Sequence, residues 1–238
     1  MALIRIIYQS IYLCITLLKS LPALKKAKNS TNMSDTEKSE FAHFYAKKWA
    51  KGFFDTTGST VTVSGIEHLP EGPVLFVSNH VGNFDIPTLM GYIPKSFGFI
   101  SKTEMKKAPL VSDWMDVLDC VFIDRNDRRQ SVKALREGGQ LLKNGHSILI
   151  FPEGTRSKGG PIGEFKAGGT RLAKDGEVPI VPIVIKGTAE IYENGAKGLK
   201  PATVTIEVLP AFSKEHVIKT DGKLLLEEVR QVMLAASH

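Results

Sequence analysis

A histidine and an aspartate five positions apart, His80 and Asp85 in the stretch SNHVGNFD, are the residues of this 238-residue chain best equipped for acid–base chemistry. On a regular helix that spacing sets the two side chains roughly 140° apart, at about 100° per residue, and on a strand it sets them on opposite faces. They meet only if the segment is neither. A strand ending at Asn79, a turn through Val81 and Gly82, and a helix opening near Asp85 would bring them together. Gly82 would supply the backbone freedom, and Pro87 is tolerated in a first helical turn. A carboxylate held against an imidazole fixes its tautomer and stabilises the imidazolium that forms when the ring takes a proton. That is the equipment of a general base. The competing reading is a surface pair in which Asp85 does no more than cap a helix.

The elements that must position this pair follow from the pattern after Gly58, where short β-branched runs alternate with helical segments. Strands are predicted at VTVSG near residue 61, PVLFVS near 73, FGFIS near 97 and CVFID near 120. Further strands are predicted at SILIF near 147, VPIVPIVI near 178 and TVTIEVL near 203. Helices are predicted from Asp85 to Tyr92, around Leu110 to Leu118, and from Arg128 to Lys143, the last stopped by Gly145. Apolar strands of this kind are buried on both faces, and the alternation predicts an α/β fold with a mostly parallel central sheet flanked by helices. Ligands in such sheets bind outside the strand ends. His80 sits at one.

Other strand ends are loaded too. Arg125 follows CVFID, with Arg128 and Arg129 close behind, where cations oppose the dipole of a starting helix. After SILIF comes Pro152-Glu153-Gly154-Thr155-Arg156-Ser157. Gly154 permits a tight turn whose N–H groups face an anion or a developing oxyanion. Arg156 offers a bidentate fork for phosphate, and Glu153 is placed to hold that arginine or a substrate hydroxyl. Lys102 is a further cation just past FGFIS. A solvated helix start or a plain Pro-Gly loop would explain any one of these features, but not all of them at successive strand ends.

The composition agrees with an anionic partner. Formal net charge is +6 and the sequence pI is about 9.2, which points to nucleic acid, anionic lipid or phosphorylated metabolites. Two cysteines, Cys14 and Cys120, give no disulfide framework and fit a reducing compartment. The absence of HExxH and CxxC patterns argues against a metal site. Residues 1–54 differ in character from residues 55–238, and two domains are expected on that boundary. The uncharged run from Ile6 to Leu18 would extend roughly 20 Å as a helix, short of the ~30 Å needed to span a bilayer. No clear signal-peptide cleavage site precedes the basic LKKAK. Arg5, Lys19, Lys25, Lys26 and Lys28 flank this run with no acid among the first 34 residues. The pattern suits a helix lying in an anionic membrane face, against the alternative of a terminal helix packed on its own domain. Ser34 and Glu37 form a candidate capping box for a second helix. In that helix Phe41, Phe44, Tyr45, Trp49 and Phe53 make an aromatic stripe beside Lys47, Lys48 and Lys51, fit for a core, for an interface or for both.

The ordered blocks now carry a resemblance. NHVGNFD, VFIDR, FPEGTRS and VPIV (Val181 to Val184) resemble, in order and spacing, the four blocks of the 1-acylglycerol-3-phosphate acyltransferases of the glycerolipid acyltransferase superfamily, over roughly residues 58 to 210. EGTRS, rather than EGGRS, favours a lysophosphatidic acid acceptor over glycerol-3-phosphate. The resemblance implies His80 as base and Asp85 as its partner, with Arg125 contacting acceptor phosphate. It further implies that Glu153, Gly154, Thr155 and Arg156 organise acceptor binding, with backbone donors near Gly154 for the thioester oxyanion. Lys102 matches a basic position between the first two blocks, and Pro182 shapes a wall. The implied product is phosphatidic acid, made from lysophosphatidic acid and acyl-CoA or acyl carrier protein, at the cytoplasmic face of an anionic membrane. No cofactor, metal or nucleic acid is implied. Rival readings are acylation of glycerol-3-phosphate or another lysophospholipid, a hydrolase using the dyad on water, and a non-catalytic lipid-binding module. No GxSxG nucleophile elbow supports the hydrolase, and binding phosphate needs no base. An acyl-enzyme on Cys120 is disfavoured by its place inside an apolar strand.

Overall fold

The computed structural model describes residues 2–194 and 198–237, with side chains from Ile6 onward, so that of Arg5 lies outside the described residues. The chain opens with helices α1 (Ala2–Asn29) and α2 (Asp35–Asp55), followed by β1 (Thr60–Ser64), β2 (Leu75–Ser78) and α3 (Asp85–Tyr92). Next come β3 (Gly98–Lys102), α4 (Val111–Val117), β4 (Val121–Ile123), α5 (Arg128–Lys143) and β5 (Ile148–Ile150). The last part holds α6 (Gly168–Gly176), β6 (Ile180–Lys186), α7 (Thr188–Ile191), β7 (Thr203–Val208), α8 (Lys214–Lys219) and α9 (Gly222–Ala236).

Each expected strand is present, and among the described residues they form one sheet in the order β1-β7-β6-β2-β5-β3-β4. From β6 to β4 the neighbours run parallel; β7 lies antiparallel to β6 and carries β1 parallel to itself. The expected helices at α3, α4 and α5 are also present, and α6, α8 and α9 add to them. The sequence gives α6 little helical signal because it begins with two glycines, Gly168 and Gly169, which disfavour helix.

Strand alternation divides the core in two. Phe76 of β2 and Ile183 and Ile185 of β6 face a cluster with Ala42, Ala46, Ala50 and Phe54 of α2, Leu89 of α3 and Trp114 of α4. Leu75 and Val77, one step out of phase, face Leu142 of α5, Leu172 of α6, Val217 of α8 and Val229 of α9. Helices therefore cover both faces, and the strand ends are left open for a site.

The capping box that starts α2 is formed: Glu37 N–H donates to Ser34 Oγ at 3.3 Å, and Ser34 N–H donates to Glu37 Oε2 at 2.7 Å. Small residues at 42, 46 and 50 lie on the buried side of α2, and a Cβ added at Gly91 of α3 would stand 3.5 Å from that of Ala50, so the two helices pack closely. The aromatic stripe lies on the flank of α2, with Phe41, Tyr45, Trp49 and Phe53 half-buried and Phe44 exposed. His43 points inward beside Phe97, and burial pushes its imidazole down to about 4, so at neutral pH it is an uncharged part of the core.

The first helix corrects an expectation. The uncharged run is short, but α1 continues through its lysines for 28 residues, and Ile6–Asn29 is long and apolar enough, by length and composition, to cross a membrane. Lysine stems add apolar length while their heads stay in water, which is why the charges do not end the helix. One side of α1 docks on the domain. Gln9 Nε2 donates to Thr56 Oγ1 at 3.1 Å, Trp114 Nε1 donates to Ser20 Oγ at 3.0 Å, and Lys28 pairs with Asp113. The other side exposes Ile7, Tyr8, Ile11, Ile15 and Leu18. An unpaired apolar row of that kind suits a membrane surface. Between α1, α2, α3, α4 and β3 lies an apolar cavity of about 460 Å³, lined by Leu13, Leu17, Trp49, Phe53, Met90 and Trp114 among others, and reaching Asn83 and Phe84.

Candidate active site

The parallel strands β2, β5, β3 and β4 bring their carboxyl ends to one edge, and with them His80, Glu153, Lys102 and Arg125. Between Ser78 and Asp85 the chain is neither strand nor helix, and the pair closes: Asp85 Oδ2 lies 2.7 Å from His80 Nδ1. The same oxygen accepts the N–H groups of Val81 at 2.6 Å and Gly82 at 3.0 Å, and Oδ1 accepts the Thr188 hydroxyl. Four donors compensate a carboxylate with no exposed surface. With Nδ1–H directed at Asp85, the other ring nitrogen, Nε2, carries the lone pair and is the atom available to a substrate proton. The His80 ring is stacked on Phe151, centroids 4.1 Å apart, and its side chain keeps 18% exposure, which leaves it reachable.

Gly82 serves a different purpose from the one expected. Its backbone is not left-handed. A Cβ there would sit 2.7 Å from Glu193 Oε2, so any side chain at this position would have to push that carboxylate away from the loop.

The other candidates fall as follows. Glu153 is buried and holds neither Arg156 nor an open position. Its Oε1 accepts His80 N–H at 2.8 Å and its Oε2 accepts Gly163 N–H at 2.9 Å, which fixes the backbone on which the histidine rides. Gly154 does turn left-handed, φ +69°, as the tight turn requires. Its own N–H closes that turn onto Phe151 O at 3.1 Å and is unavailable to an oxyanion; the N–H groups of Thr155 and Arg156 have no acceptor among the described residues. Arg125 donates through Nη1 to Gly154 O, tying two strand ends together. Arg156 Nη1 donates to Asn83 Oδ1 and lies 3.6 Å from Glu193 Oε1. Thr155 and Lys102 are exposed at the same edge, and Arg128 and Arg129 are exposed at the start of α5. Cys120 is buried, and burial raises its thiol far above the range in which a thiolate forms. Among the described residues no group of His, Cys, Asp and Glu could hold a metal ion.

A family model described as Acyltransferase matches residues 60–186, more than half of the chain. The chain belongs to this acyltransferase family. A chloroplastic 1-acyl-sn-glycerol-3-phosphate acyltransferase of Arabidopsis thaliana, LPAT1, is 39% identical over 171 residues, covering 69% of this chain and 46% of that protein. A probable 1-acyl-sn-glycerol-3-phosphate acyltransferase of Mycoplasma pneumoniae is 33% identical, covering 76% of this chain and 70% of that one. The crystal structure of PlsC from Thermotoga maritima, a 1-acyl-sn-glycerophosphate (LPA) acyltransferase, superposes with a TM-score of 0.86 at 26% identity, over 99% of this chain and 94% of that chain. The chain thus spans about half the length of the plant relative and nearly the whole of the solved one.

Every candidate named from this acyltransferase sequence lies inside the matched stretch. Thr188 and Glu193 lie just past it, at the carboxyl end of β6, which the sequence reading did not treat as a loaded strand end. The available signal was the Gly187-Thr188 pair directly after VPIVIK, a turn glycine (φ +88°) followed by a hydroxyl. Asn79 was missed as well. Its amide pairs twice with the backbone of Ile185, at 2.9 Å each way, and joins β6 to the catalytic loop. Thr188→Val keeps the shape and removes the donor to Asp85. We expect kcat to fall about tenfold, the effect of one charge-assisted hydrogen bond, together with a lower melting temperature, because Oδ1 of the buried carboxylate loses its donor. A kcat within twofold of wild type would remove Thr188 from the machinery.

Proposed function

We propose that this acyltransferase moves a fatty acyl group from an acyl thioester to the sn-2 hydroxyl of 1-acylglycerol-3-phosphate, giving phosphatidic acid. The observation that carries the reading is the closed His80–Asp85 pair, on a loop whose Asn83 holds an exposed arginine and lines an apolar cavity. An alcohol is a poor nucleophile until its proton is removed as it attacks. In this reading His80 Nε2 takes that proton while the oxygen attacks the thioester carbonyl. The resulting imidazolium is stabilised by Asp85 and returns the proton to the departing thiol. The Thr155 and Arg156 N–H groups are the turn's available donors for the carbonyl oxygen. Arg156 and Arg125 hold the acceptor phosphate, and Lys102 adds positive potential at the same edge. A cavity of about 460 Å³ walled by α1, α2 and α4 suits an acyl chain.

The same reading places α1 on the cytoplasmic membrane face without crossing it. Its inner side is committed to Thr56, Trp114 and Asp113, and a spanning pose would draw these partners toward hydrocarbon. Both substrate and product of the proposed reaction live in the bilayer, so a site held at headgroup level avoids extracting a long chain from it.

The test is thiol release from an acyl thioester with and without lysophosphatidate. Release that needs the acceptor is expected; equal release without it would make the chain a thioesterase, and none in either case would leave a binding module. Arg156→Lys keeps the charge and loses the planar fork. It should raise KM for lysophosphatidate about tenfold while leaving the poor use of an uncharged monoacylglycerol little changed. Equal losses on both acceptors would assign Arg156 to the scaffold instead.

A further inference from the structure

Glu193 has no part in the chemistry above, yet its carboxylate is pressed against both halves of the site. The side chain keeps only 6% exposure. Oε1 accepts the Asn83 N–H at 2.7 Å and lies 3.6 Å from Arg156 Nη1, and Oε2 is buried with no hydrogen-bond partner in the structure. The carboxylate also abuts Gly82, where an added Cβ would stand 2.7 Å from Oε2 and displace it. Burying a charge this far is costly unless it is compensated. Here its compensation comes from one loop N–H and one arginine, and these two belong to the base's loop and to the proposed phosphate site.

We propose that Glu193 is a positioning residue for acceptor recognition, holding Arg156 by its Nη1 edge so that its Nη2–Nε edge faces the incoming phosphate, and fixing that arginine against the loop that carries His80. This rests on the acyl-transfer reading and names the device that registers the bound phosphate with the base. Three contacts converge on that role. Asn83 offers its side-chain oxygen to Arg156 and its backbone N–H to Glu193, so arginine, carboxylate and catalytic loop close a triangle. Nη1 carries the contacts that Arg156 makes among the described residues, which leaves the opposite edge of the guanidinium for a ligand. Glu193 reaches the loop from beyond the carboxyl end of β6, 110 residues along the chain, and so it can restrain the loop without standing between its ends.

The decisive comparison uses Glu193→Gln, whose amide oxygen still accepts from Asn83 N–H but whose charge no longer attracts Arg156. Initial rates are measured across lysophosphatidate concentrations, and in parallel with an uncharged monoacylglycerol. We expect KM for lysophosphatidate to rise about threefold to tenfold, with kcat falling less, the range that one partly exposed charged contact supports. Rates with the uncharged acceptor should change by less than about twofold. In the double variant with Arg156→Lys the two effects should not add, because Glu193 would act through Arg156. Additive effects, or equal losses on both acceptors, would overturn the proposal and leave Glu193 as scaffold. Should Glu193→Gln melt early, Arg156→Lys compared in the wild-type and Glu193→Asp backgrounds gives the same coupling measurement. A wild-type chain with no acceptor-dependent thiol release would sink the acyl-transfer reading itself, and this inference with it.

Discussion

Replacing His80 by alanine is expected to abolish detectable acyl transfer, and Asp85→Asn to lower it by about 10²–10⁴-fold, with the fold and vesicle binding retained. The geometry makes the second substitution a clean test. Asp85 Oδ2 accepts three N–H groups, so an asparagine will keep its oxygen on that side and turn its NH₂ toward the Thr188 hydroxyl, which can rotate to accept. The loop is then still held, and what disappears is the negative charge that stabilises the imidazolium. Asp85→Ala would instead release Val81 and Gly82 and confound chemistry with loop collapse. The measurement is acceptor-dependent thiol release beside a thermal melt. A His80→Ala protein that melts normally and keeps more than about a tenth of wild-type rate would remove the histidine from the mechanism.

Exchanging Ile11, Ile15 and Leu18 together for glutamine is expected to release the protein from phospholipid vesicles, with the partition coefficient falling on the order of 10³-fold. These side chains are 50%, 45% and 59% exposed on the outer side of α1 and are not among the residues lining the cavity. Each contributes about 1.5 kcal/mol or more when buried in apolar surroundings, and about 1.4 kcal/mol is a factor of ten. Activity on a short-chain, soluble acceptor should survive. Deleting residues 1–30 would be a poorer test, because it removes Leu13, Thr16, Leu17 and Ser20 from the cavity wall and uncovers the aromatic flank of α2. Neutralising the lysines is also compromised, since Lys28 pairs with Asp113 and Lys26 stands 5.1 Å from the Phe41 ring. Co-sedimentation with anionic vesicles reads the outcome. Unchanged binding of the triple variant would shift anchoring to the lysines and to Phe44, and labelling of the N-terminal region from the outer side of sealed membranes would mean that α1 crosses.

The amino-acid sequence by itself determined what depends on neighbours in the chain. The strands were legible because their apolar, β-branched runs are bounded by turn residues, and α5 because Gly145 ends its pattern. The dyad was legible because a histidine and an aspartate at that spacing can meet only across a strand-turn-helix junction. Tertiary structure decided what depends on residues far apart. Sheet order places β6 beside β2, and only that adjacency delivers Thr188 to Asp85 across 103 positions and Asn79 to Ile185 across 106. No periodicity marks such contacts. It likewise replaced the expected partner of Glu153, a substrate hydroxyl or Arg156, with the His80 backbone, and the expected flexibility of Gly82 with a close approach of the Glu193 carboxylate. The length of the first helix was misread for a related reason. Charge in the sequence interrupts an apolar run, but a helix continues for as long as its backbone is paired and its lysines can reach water or a partner such as Asp113. The cavity is the extreme case: its wall is drawn from α1, α2, α3, α4 and β3, elements whose apolar residues read in sequence only as core, and only their packing leaves the space between them open.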